Sequence, residues 1–413
     1  MKKIFKNIKE LIQIRDTSIS FVAGKDMDVL PTLKNAYLTI EGGKISGFGK
    51  MEESPDGQFD EVIDATGKIL MPTWCDSHTH IVYAGNRENE FMDRIKGASY
   101  KEIAENGGGI LNSAKKLQQT SAKDLYLQSK TRLEEVIELG TGAVEIKSGY
   151  GLTVEAELKM LKVIKKLGQE YPLPIKATFL AAHALPSKYK DDKDSFLRLM
   201  IDEVMPVILK DKLAAYIDVF CEEGYFTVAE TELMISAGTK YGMQAKIHVN
   251  QFTAIGGVQA GVKHNARSVD HLEEMRPEDI EVLKNTSTMP VALPSCSFFL
   301  GIPYTPARKI IDDGLPLALA SDYNPGSTPS GNMNFVVSLA CIKMKMTPEE
   351  AINAATINSA YAMGLEREVG SITIGKRANL IMTKAINSYG FIPYSFGTNC
   401  IEKVFLNGEV WQQ

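Results

Sequence analysis

The sequence contains few cysteines, and none of them stands in a short paired motif. Its 413 residues include only 5 cysteines, an odd number, and no Cys-x-x-Cys occurs. This pattern argues against a disulfide framework and against a zinc site built from thiolates. We expect buried, reduced thiols, including Cys75, which should face the opposite side of its strand from the nearby His78.

The sequence also lacks a basic excess and a long apolar segment near its start. A net charge of −5 with 44% hydrophobic and 23% charged residues indicates an ordinary soluble protein and gives no support for nucleic-acid or membrane binding. Lys6, Lys9 and Glu10 interrupt the stretch in which a signal peptide would need its apolar core. We therefore expect a mature cytoplasmic protein.

Short β segments occupy both ends of the chain. Strand-like runs at 35–40 and 44–48 flank Gly42-Gly43, and the run at 403–406 leads into the turn Asn407-Gly408. Such arrangements are typical of β-hairpins. We predict that residues 1–66 and 367–413 together form one small β-sandwich domain.

The middle of the chain alternates predicted strands with helices. Eight strand candidates can be counted, at 69–74, 143–146, 177–182, 216–220, 245–249, 268–270, 289–293 and 315–320. Because eight βα units close a barrel, residues 67–366 are predicted to form an α/β fold, a (β/α)8 TIM-like barrel. The alternative is a doubly wound open sheet, but no Gly-x-Gly-x-x-Gly follows a strand to support a nucleotide site in it.

Histidines collect at the predicted carboxyl ends of these strands, where the active site of such a barrel lies. All but one of the 6 histidines fall there, whereas His264 is expected at the surface. The histidines at this rim are His78, His80, His183, His248 and His271, and Asp322 follows the last strand.

Four of these residues are predicted to bind one catalytic metal ion. His78 and His80 are two residues apart, so in an extended segment both imidazoles point to the same side. Together with His248 and Asp322 they offer histidine nitrogens and one carboxylate, a set that leaves a position open for water. Taken alone, the histidine pair could be chance, and Asp322 could be a turn residue, since the turn signal at 323–326 follows it.

The order of these residues on successive strands, with β segments from both termini, resembles the amidohydrolase superfamily of metal-dependent hydrolases. Longer strings resemble one family within it, the imidazolonepropionases, which open the imidazolone ring in histidine breakdown. These strings are GGGI at 107–110, EIKSGYG at 145–151, FLAAHA at 179–184, DVFCE at 218–222, DHLE at 270–273 and SDYNPG at 321–326.

The resemblance implies a substrate, a metal and an assembly. The substrate would be 4-imidazolone-5-propanoate, hydrolysed at its ring amide to N-formimidoyl-L-glutamate by a metal-activated water. One Zn²⁺ or Fe²⁺/Fe³⁺ ion per chain is implied, and residue types do not distinguish the two metals. The family also suggests a homodimer. In this scheme Asp322 passes the proton of water to the departing nitrogen, while His271 and His183 donate to the developing oxyanion.

Substrate-binding residues are implied around this centre. Arg87 would hold the propanoate carboxylate through two parallel bonds, although a solvated surface arginine beside Glu88 and Glu90 is the simpler alternative. Tyr150 would donate its hydroxyl, unless residues 148–151 form only a turn. The remaining residues expected to line the pocket are Asn324, Gly326 and Ser327, and the run 107–109 would either approach the substrate closely or form a plain loop.

One position departs from the family pattern. Many members carry an acidic residue shortly after the histidine of the fifth strand, whereas this chain has Gln251, and a neutral amide cannot act as a general base. We therefore expect Asp322 to move the proton and Gln251 only to hydrogen-bond the ring. Two alternatives remain open: another cyclic amidohydrolase or nitrogen-heterocycle deaminase, and a non-catalytic binding or assembly protein.

Overall fold

The computed structural model describes residues 1–97, 102 and 108–412, so the prediction made for Gly107 lies outside the described residues. The described strands form two eight-stranded sheets. In chain order the strands are β1 Lys2–Ile12, β2 Thr32–Glu41, β3 Lys44–Lys50, β4 Glu61–Asp64, β5 Lys68–Pro72, β6 Trp74–Asp76, β7 Thr141–Lys147, β8 Ile175–Ala182, β9 Tyr216–Cys221, β10 Gln244–Val249, β11 Ser268–His271, β12 Met289–Ala292, β13 Ala318–Leu319, β14 Leu380–Ala385, β15 Ile401–Leu406 and β16 Glu409–Val410.

The first sheet joins the two ends of the chain. Its order is β16-β15-β14-β5-β1-β2-β3, with β4 pairing β1 as well, and the two predicted hairpins at Gly42-Gly43 and Asn407-Gly408 connect neighbouring strands. Its buried face is apolar and includes Phe5, Leu38 and Phe405. Strands from both termini therefore share one core, as the sequence predicts. The division into domains at the predicted boundaries stays a prediction.

The second sheet is a barrel of parallel strands in the order β6 to β13. The two outer strands approach each other where they end: the Asp322 N–H donates to the His78 carbonyl at 3.0 Å, and the His80 N–H donates to the Tyr323 carbonyl at 2.8 Å. These bonds nearly close the barrel and bring the first predicted ligands next to the last. The predicted fold class is confirmed.

The first barrel strand lies later in the chain than predicted. The prediction of 69–74 is wrong, because β5 pairs with β1 and β14 in the terminal sheet and the barrel begins only at β6. The chain changes sheets between two neighbouring residues: the Thr73 N–H donates to Asn379, whereas the Trp74 N–H donates to Gly140. An uninterrupted apolar run suits a buried strand of either sheet, so its composition could not identify the crossing point.

Helices cover the outside of the barrel, as in other α/β folds. The α-helices are Glu88–Ile95, Gly109–Gln119, Ala122–Glu138, Val154–Glu170, Lys193–Leu199, Met205–Asp211, Val228–Lys240, Gly257–Lys263, Pro277–Leu283, Pro294–Leu300, Ala307–Asp312, Met333–Met344, Pro348–Asn353, Ser359–Ala362 and Phe391–Tyr394. Shorter 3₁₀ segments are Gly24–Asp28, Met51–Glu53 and Ser187–Tyr189, and π-helical turns are Met200–Val204 and Ala354–Asn358.

Local sequence explains where these helices begin and which face they bury. Thr227 and Glu230 form a reciprocal capping box at the start of Val228–Lys240, which satisfies two backbone donors. The helix Val154–Glu170 buries Met160, Leu161 and their neighbours against the barrel, and each such buried side chain stabilises the fold by about 1.5–3 kcal/mol.

The cysteines are free thiols, and four of the five are buried. Cys75 packs among apolar side chains that include Ala360 and Met363, in agreement with its predicted orientation away from the metal site. Within the described ranges, no helix is long and apolar enough to cross a membrane.

Candidate active site

The polar residues predicted at the strand ends converge in the structure. Ring centroids of His78 and His248 lie 4.4 Å apart, and those of His248 and His271 lie 5.3 Å apart. The His80 ring stacks on that of His183 at 5.2 Å. Five histidines from four different parts of the chain thus meet at the carboxyl ends of β6, β8, β10 and β11. The sixth, His264, lies at the end of an outer helix, 3.7 Å from Glu232.

Nitrogen and carboxylate oxygen atoms face one another closely at this point. The Oδ1 atom of Asp322 lies 3.6 Å from Nε2 of His78 and 3.5 Å from Nε2 of His80. Ligand atoms of these three residues lie within 4.8 Å of one another, as do those of the set His78, His248 and His271. The two groups share His78 and together include the four predicted ligands, while no single group contains all four.

Two buried carboxylates orient the ligand histidines from behind. Nδ1 of His78 lies 2.7 Å from Asp270, and Nδ1 of His248 lies 2.8 Å from Asp218. Nε2 of both rings is buried and has no hydrogen-bond partner among the described residues. A buried nitrogen without a partner, on a ring whose other nitrogen contacts a carboxylate, is the usual arrangement of a metal-binding histidine. The residues present therefore fit a metal site.

A network of buried charges supports these carboxylates. The Lys147 ammonium lies between three acidic groups, 2.7 Å from Glu145, 2.9 Å from Asp218 and 3.6 Å from Asp270. Lys246 pairs with the other oxygen of Glu145 and donates to the Ser77 carbonyl at 2.9 Å. A buried charge is costly unless it is paired, and here each charge has opposite charges beside it. The network fixes the geometry beneath the ligands.

The same network sets protonation states around the ligands. Burial raises the pKa of Asp218, but the nearby His248 and Lys147 outweigh it, so the pKa of Asp218 lies well below its ordinary value. Burial, together with the positive charge of Lys147, holds the pKa of His78 well below its ordinary value. His78 is therefore neutral at physiological pH, which is the form that binds a metal.

Sequence reasoning assigned no role to Glu145, Lys147, Asp218 or Asp270. A signal was present, because each of them interrupts an otherwise apolar barrel strand. Charged side chains inside a parallel strand have no access to water and therefore indicate a paired network. Which of these residues contacts which histidine depends on strand register, which the sequence did not provide.

Tyr150 lies over the histidine cluster on a tightly held loop. Its ring packs edge-on against His183 with centroids 5.3 Å apart. The carboxylate of Glu157 accepts backbone N–H bonds from Gly149 at 3.1 Å and Gly151 at 2.7 Å. A side chain at Gly151 would clash, because a Cβ there would lie 2.5 Å from the Glu157 nitrogen. These contacts hold the loop in a fixed position beside the histidines, so it is more than a simple turn.

Arg87 is a cavity residue and not a solvated surface arginine. Its side chain is 11% exposed, and Nε and Nη2 both donate to Glu90 at 2.6 Å. The guanidinium lies against the backbone of Gly326, where a Cβ would approach Nη1 to 2.0 Å. Glu90 in turn accepts the Gly109 N–H at 3.0 Å. The guanidinium is thus held in place from two sides.

The loop after Asp322 is organised around Asn324. The Asn324 amide donates to the Asp322 carbonyl and to the Ser327 hydroxyl, both at 2.7 Å, and accepts the N–H groups of Gly326 and Ser327, both at 2.8 Å. The Ser327 hydroxyl also donates to Oδ2 of Asp322 at 3.2 Å. The backbone N–H groups of Gly326 and Ser327 are therefore already bonded to Asn324, whose main role in the structure is to shape this loop.

Gln251 lies at the cavity wall, and a buried acid fixes its backbone. The carboxylate of Glu222 accepts the backbone N–H groups of Gln251 at 3.0 Å and Thr253 at 2.7 Å. The side-chain amide of Gln251 donates to the Cys296 thiol at 3.4 Å. Burial raises the pKa of Cys296, and the negative charges of Asp322 and Glu273 add to the effect, so this thiol is protonated.

Most of the predicted site residues border one cavity of about 900 Å³, a size typical of small-molecule sites. The predicted site residues that line it are His80, Arg87, Tyr150, His183, His248, Gln251, His271, Asp322, Asn324, Gly326 and Ser327. His78 is fully buried beneath them. The arrangement offers a metal-binding centre, a cationic group and hydrogen-bonding groups in one mostly apolar pocket.

A comparison with protein-family models matches residues 69–411 to the amidohydrolase family. The chain belongs to this family. The protein named imidazolonepropionase of Flavobacterium johnsoniae is 65% identical over 410 residues, covering 99% of this chain and 100% of that protein. The protein of the same name from Christiangramia forsetii is 64% identical with the same coverage. Within the amidohydrolase family, the chain thus groups with full-length relatives that carry this name.

Solved structures of the family show the same fold. The triazine hydrolase from Arthobacter aurescens superposes with a TM-score of 0.77 at 16% identity, covering 99% of this chain and 94% of that one. At 16% identity the similarity supports the fold and carries no information about the reaction.

Proposed function

We propose that this protein is an imidazolonepropionase, which hydrolyses the ring amide of 4-imidazolone-5-propanoate to N-formimidoyl-L-glutamate in histidine degradation. The full-length identity of 65% to a relative of that name carries the proposal. The cavity supports it, because it combines a metal-binding centre with an arginine at a distance from it, as a small ring with a carboxylate tail requires.

His78, His80, His248 and Asp322 would hold one Zn²⁺ or Fe²⁺/Fe³⁺ ion per chain. When bound, such an ion makes water more acidic and polarises a carbonyl group. The protein's own part is to hold the four ligands in place, with Nδ1 of His78 against Asp270 and Nδ1 of His248 against Asp218.

Asp322 moves the proton in this reaction. Its Oδ1 atom faces the ligand histidines, while Oδ2 lies towards Ser327. The carboxylate accepts a proton from the attacking water and passes it to the ring nitrogen as the C–N bond breaks. Gln251 only hydrogen-bonds the ring, since a carboxamide does not accept protons at neutral pH. His271 and His183 donate to the oxyanion that forms on the carbonyl oxygen.

Arg87 and Tyr150 bind and orient the substrate. The guanidinium attracts the propanoate carboxylate, and its two bonds to Glu90 keep it from turning away. Tyr150 covers the histidines from one side and donates its hydroxyl to the ligand. The loop of Asn324, Gly326 and Ser327 also lines the cavity.

The test supplies 4-imidazolone-5-propanoate, made in place from urocanate by urocanase, to the metal-loaded protein. We expect formation of N-formimidoyl-L-glutamate at a rate far above the spontaneous decay of the imidazolone. Asp322→Asn is the matched inactive control, because it retains the shape of the side chain but cannot accept the proton. Imidazolone that decays no faster with the wild-type protein than without it would contradict the proposal.

The proposal extends to the assembly and the location of the protein. We propose a homodimer in the cytoplasm. Sedimentation of the purified protein should give twice the mass of the 45.5 kDa chain, and cell fractionation should place the activity with the cytoplasmic enzymes. A monomer, or activity found outside that fraction, would contradict these two points without affecting the reaction.

A further inference from the structure

A buried carboxylate that the reaction scheme leaves unused lies directly behind His271. The side chain of Glu273 is fully buried, and its Oε1 atom lies 3.4 Å from Nδ1 of His271. The Ser297 hydroxyl donates to the same oxygen at 3.1 Å. His271 borders the cavity, whereas Glu273 lies behind the ring and outside the cavity lining. Contact with Glu273 through Nδ1 leaves Nε2 of His271 on the cavity side.

The backbone that brings these two residues together is unusual. His271 and Leu272 both have positive φ angles, 91° and 67°. Two consecutive non-glycine residues in this region are strained and persist only where surrounding contacts hold them. Those contacts are present, since Thr305 donates to the His271 carbonyl at 2.6 Å and the Leu272 N–H donates to Val249 at 3.2 Å. The turn folds Glu273 back onto the preceding ring.

We propose that Glu273 is a positioning residue for His271: it accepts the Nδ1–H of the imidazole and fixes the ring with Nε2 directed at the substrate carbonyl. The proposal rests on the proposed function for the role of His271, but the contact itself is independent of it.

Glu273 is suited to this task by what surrounds it. A carboxylate only accepts hydrogen bonds, so it pairs with a protonated Nδ1, and its negative charge favours the doubly protonated ring, whose Nε2–H then donates to the substrate oxygen. Ser297 holds the accepting oxygen from the other side. A buried acid in this place would cost stability if it only filled space, so its pairing with His271 offers the physical reason for its presence.

The first test separates the turnover number from substrate binding. Glu273→Leu removes the acceptor, and we expect kcat to fall about 10- to 100-fold, the range typical when the outer partner of a functional histidine is removed, with KM and metal content within about twofold of wild type. Glu273→Gln retains an accepting oxygen and should recover most of kcat. Glu274→Leu, at the exposed neighbouring position, is the matched control and should leave all three quantities unchanged.

A double-mutant cycle shows whether Glu273 acts through His271. In a His271→Ala background, Glu273→Leu should cause no further loss of kcat, since the group that it positions is absent. An equal fall of kcat in both backgrounds would overturn the proposal. A Glu273→Gln variant as impaired as Glu273→Leu would also overturn it. So would a wild-type metal content of two equivalents that drops to one in Glu273→Gln, because Glu273 would then be a metal ligand.

A spectroscopic measurement tests the contact between Glu273 and His271 independently of the reaction. With only 6 histidines in the chain, ¹⁵N-histidine labelling and comparison with His271→Ala assign the His271 ring. The metal-loaded wild type should show a protonated, slowly exchanging Nδ1, and Glu273→Leu should lose this signal. A wild-type protein that shows the signal but does not hydrolyse the imidazolone would refute the proposed function and leave the contact between Glu273 and His271 intact. An unchanged signal in Glu273→Leu would refute the positioning role, whatever the activity.

Discussion

Replacing Gly326 with alanine tests how Arg87 is held in the cavity. The added Cβ would lie 2.0 Å from Nη1 and 2.8 Å from Cζ of Arg87, so the guanidinium has to move by roughly 1.4 Å to reach an ordinary contact distance of 3.4 Å. Its two 2.6 Å bonds to Glu90 oppose that movement. A charge-assisted hydrogen bond to the substrate carboxylate contributes about 1.5–3 kcal/mol. Its loss corresponds to a ~10- to 100-fold increase in KM.

Steady-state kinetics on 4-imidazolone-5-propanoate measure this effect, because an interaction made equally in ground and transition states appears in KM and leaves kcat nearly unchanged. Gly397→Ala is the matched control, since a Cβ there meets no neighbour within 4 Å. Gly326→Ala should also add little to Arg87→Ala. An unchanged KM in a Gly326→Ala protein with full metal content would refute the assignment of Arg87 to the carboxylate.

Three further substitutions probe the metal centre and the charges beneath it. His78→Ala should lose the metal while Arg87→Ala retains it, as measured by elemental analysis; metal retained in the first would remove His78 from the ligand set. Asp218→Asn should weaken metal affinity by about 10- to 100-fold in a chelator competition, and unchanged affinity would exclude its orienting role. Lys147→Met leaves buried carboxylates unpaired and should lower the free energy of unfolding by about 3–5 kcal/mol. The exposed Lys166→Met should change it by at most about 1 kcal/mol, and equal effects would contradict the network.

Sequence patterns located the metal centre better than the groups that support it. The ligand candidates lie at strand ends, and the geometry of any (β/α)8 barrel brings strand ends together without further information. The contacts of Asp270 with His78 and of Lys147 with Asp218 cross between strands that are far apart in the chain. Such contacts depend on register and side-chain direction, which alternation of apolar residues inside buried strands does not specify.

The residues 69–74 show the same limit at the level of the fold. Their apolar character identified a buried strand, but β5 belongs to the terminal sheet and only β6 to the barrel. The crossing is decided by the partners of two adjacent N–H groups, Asn379 for Thr73 and Gly140 for Trp74. Both partners come from distant parts of the chain.

The sequence by itself determined the barrel and the terminal β segments and predicted the set His78, His80, His248 and Asp322, because periodicity and residue chemistry are local properties. Only the tertiary structure decided how those residues are held. The guanidinium of Arg87 lies over Gly326, and Glu273 folds back onto His271, because of contacts between segments that no local pattern connects. Ligand identity follows from residue type, whereas orientation follows from packing, and catalysis in this cavity requires both.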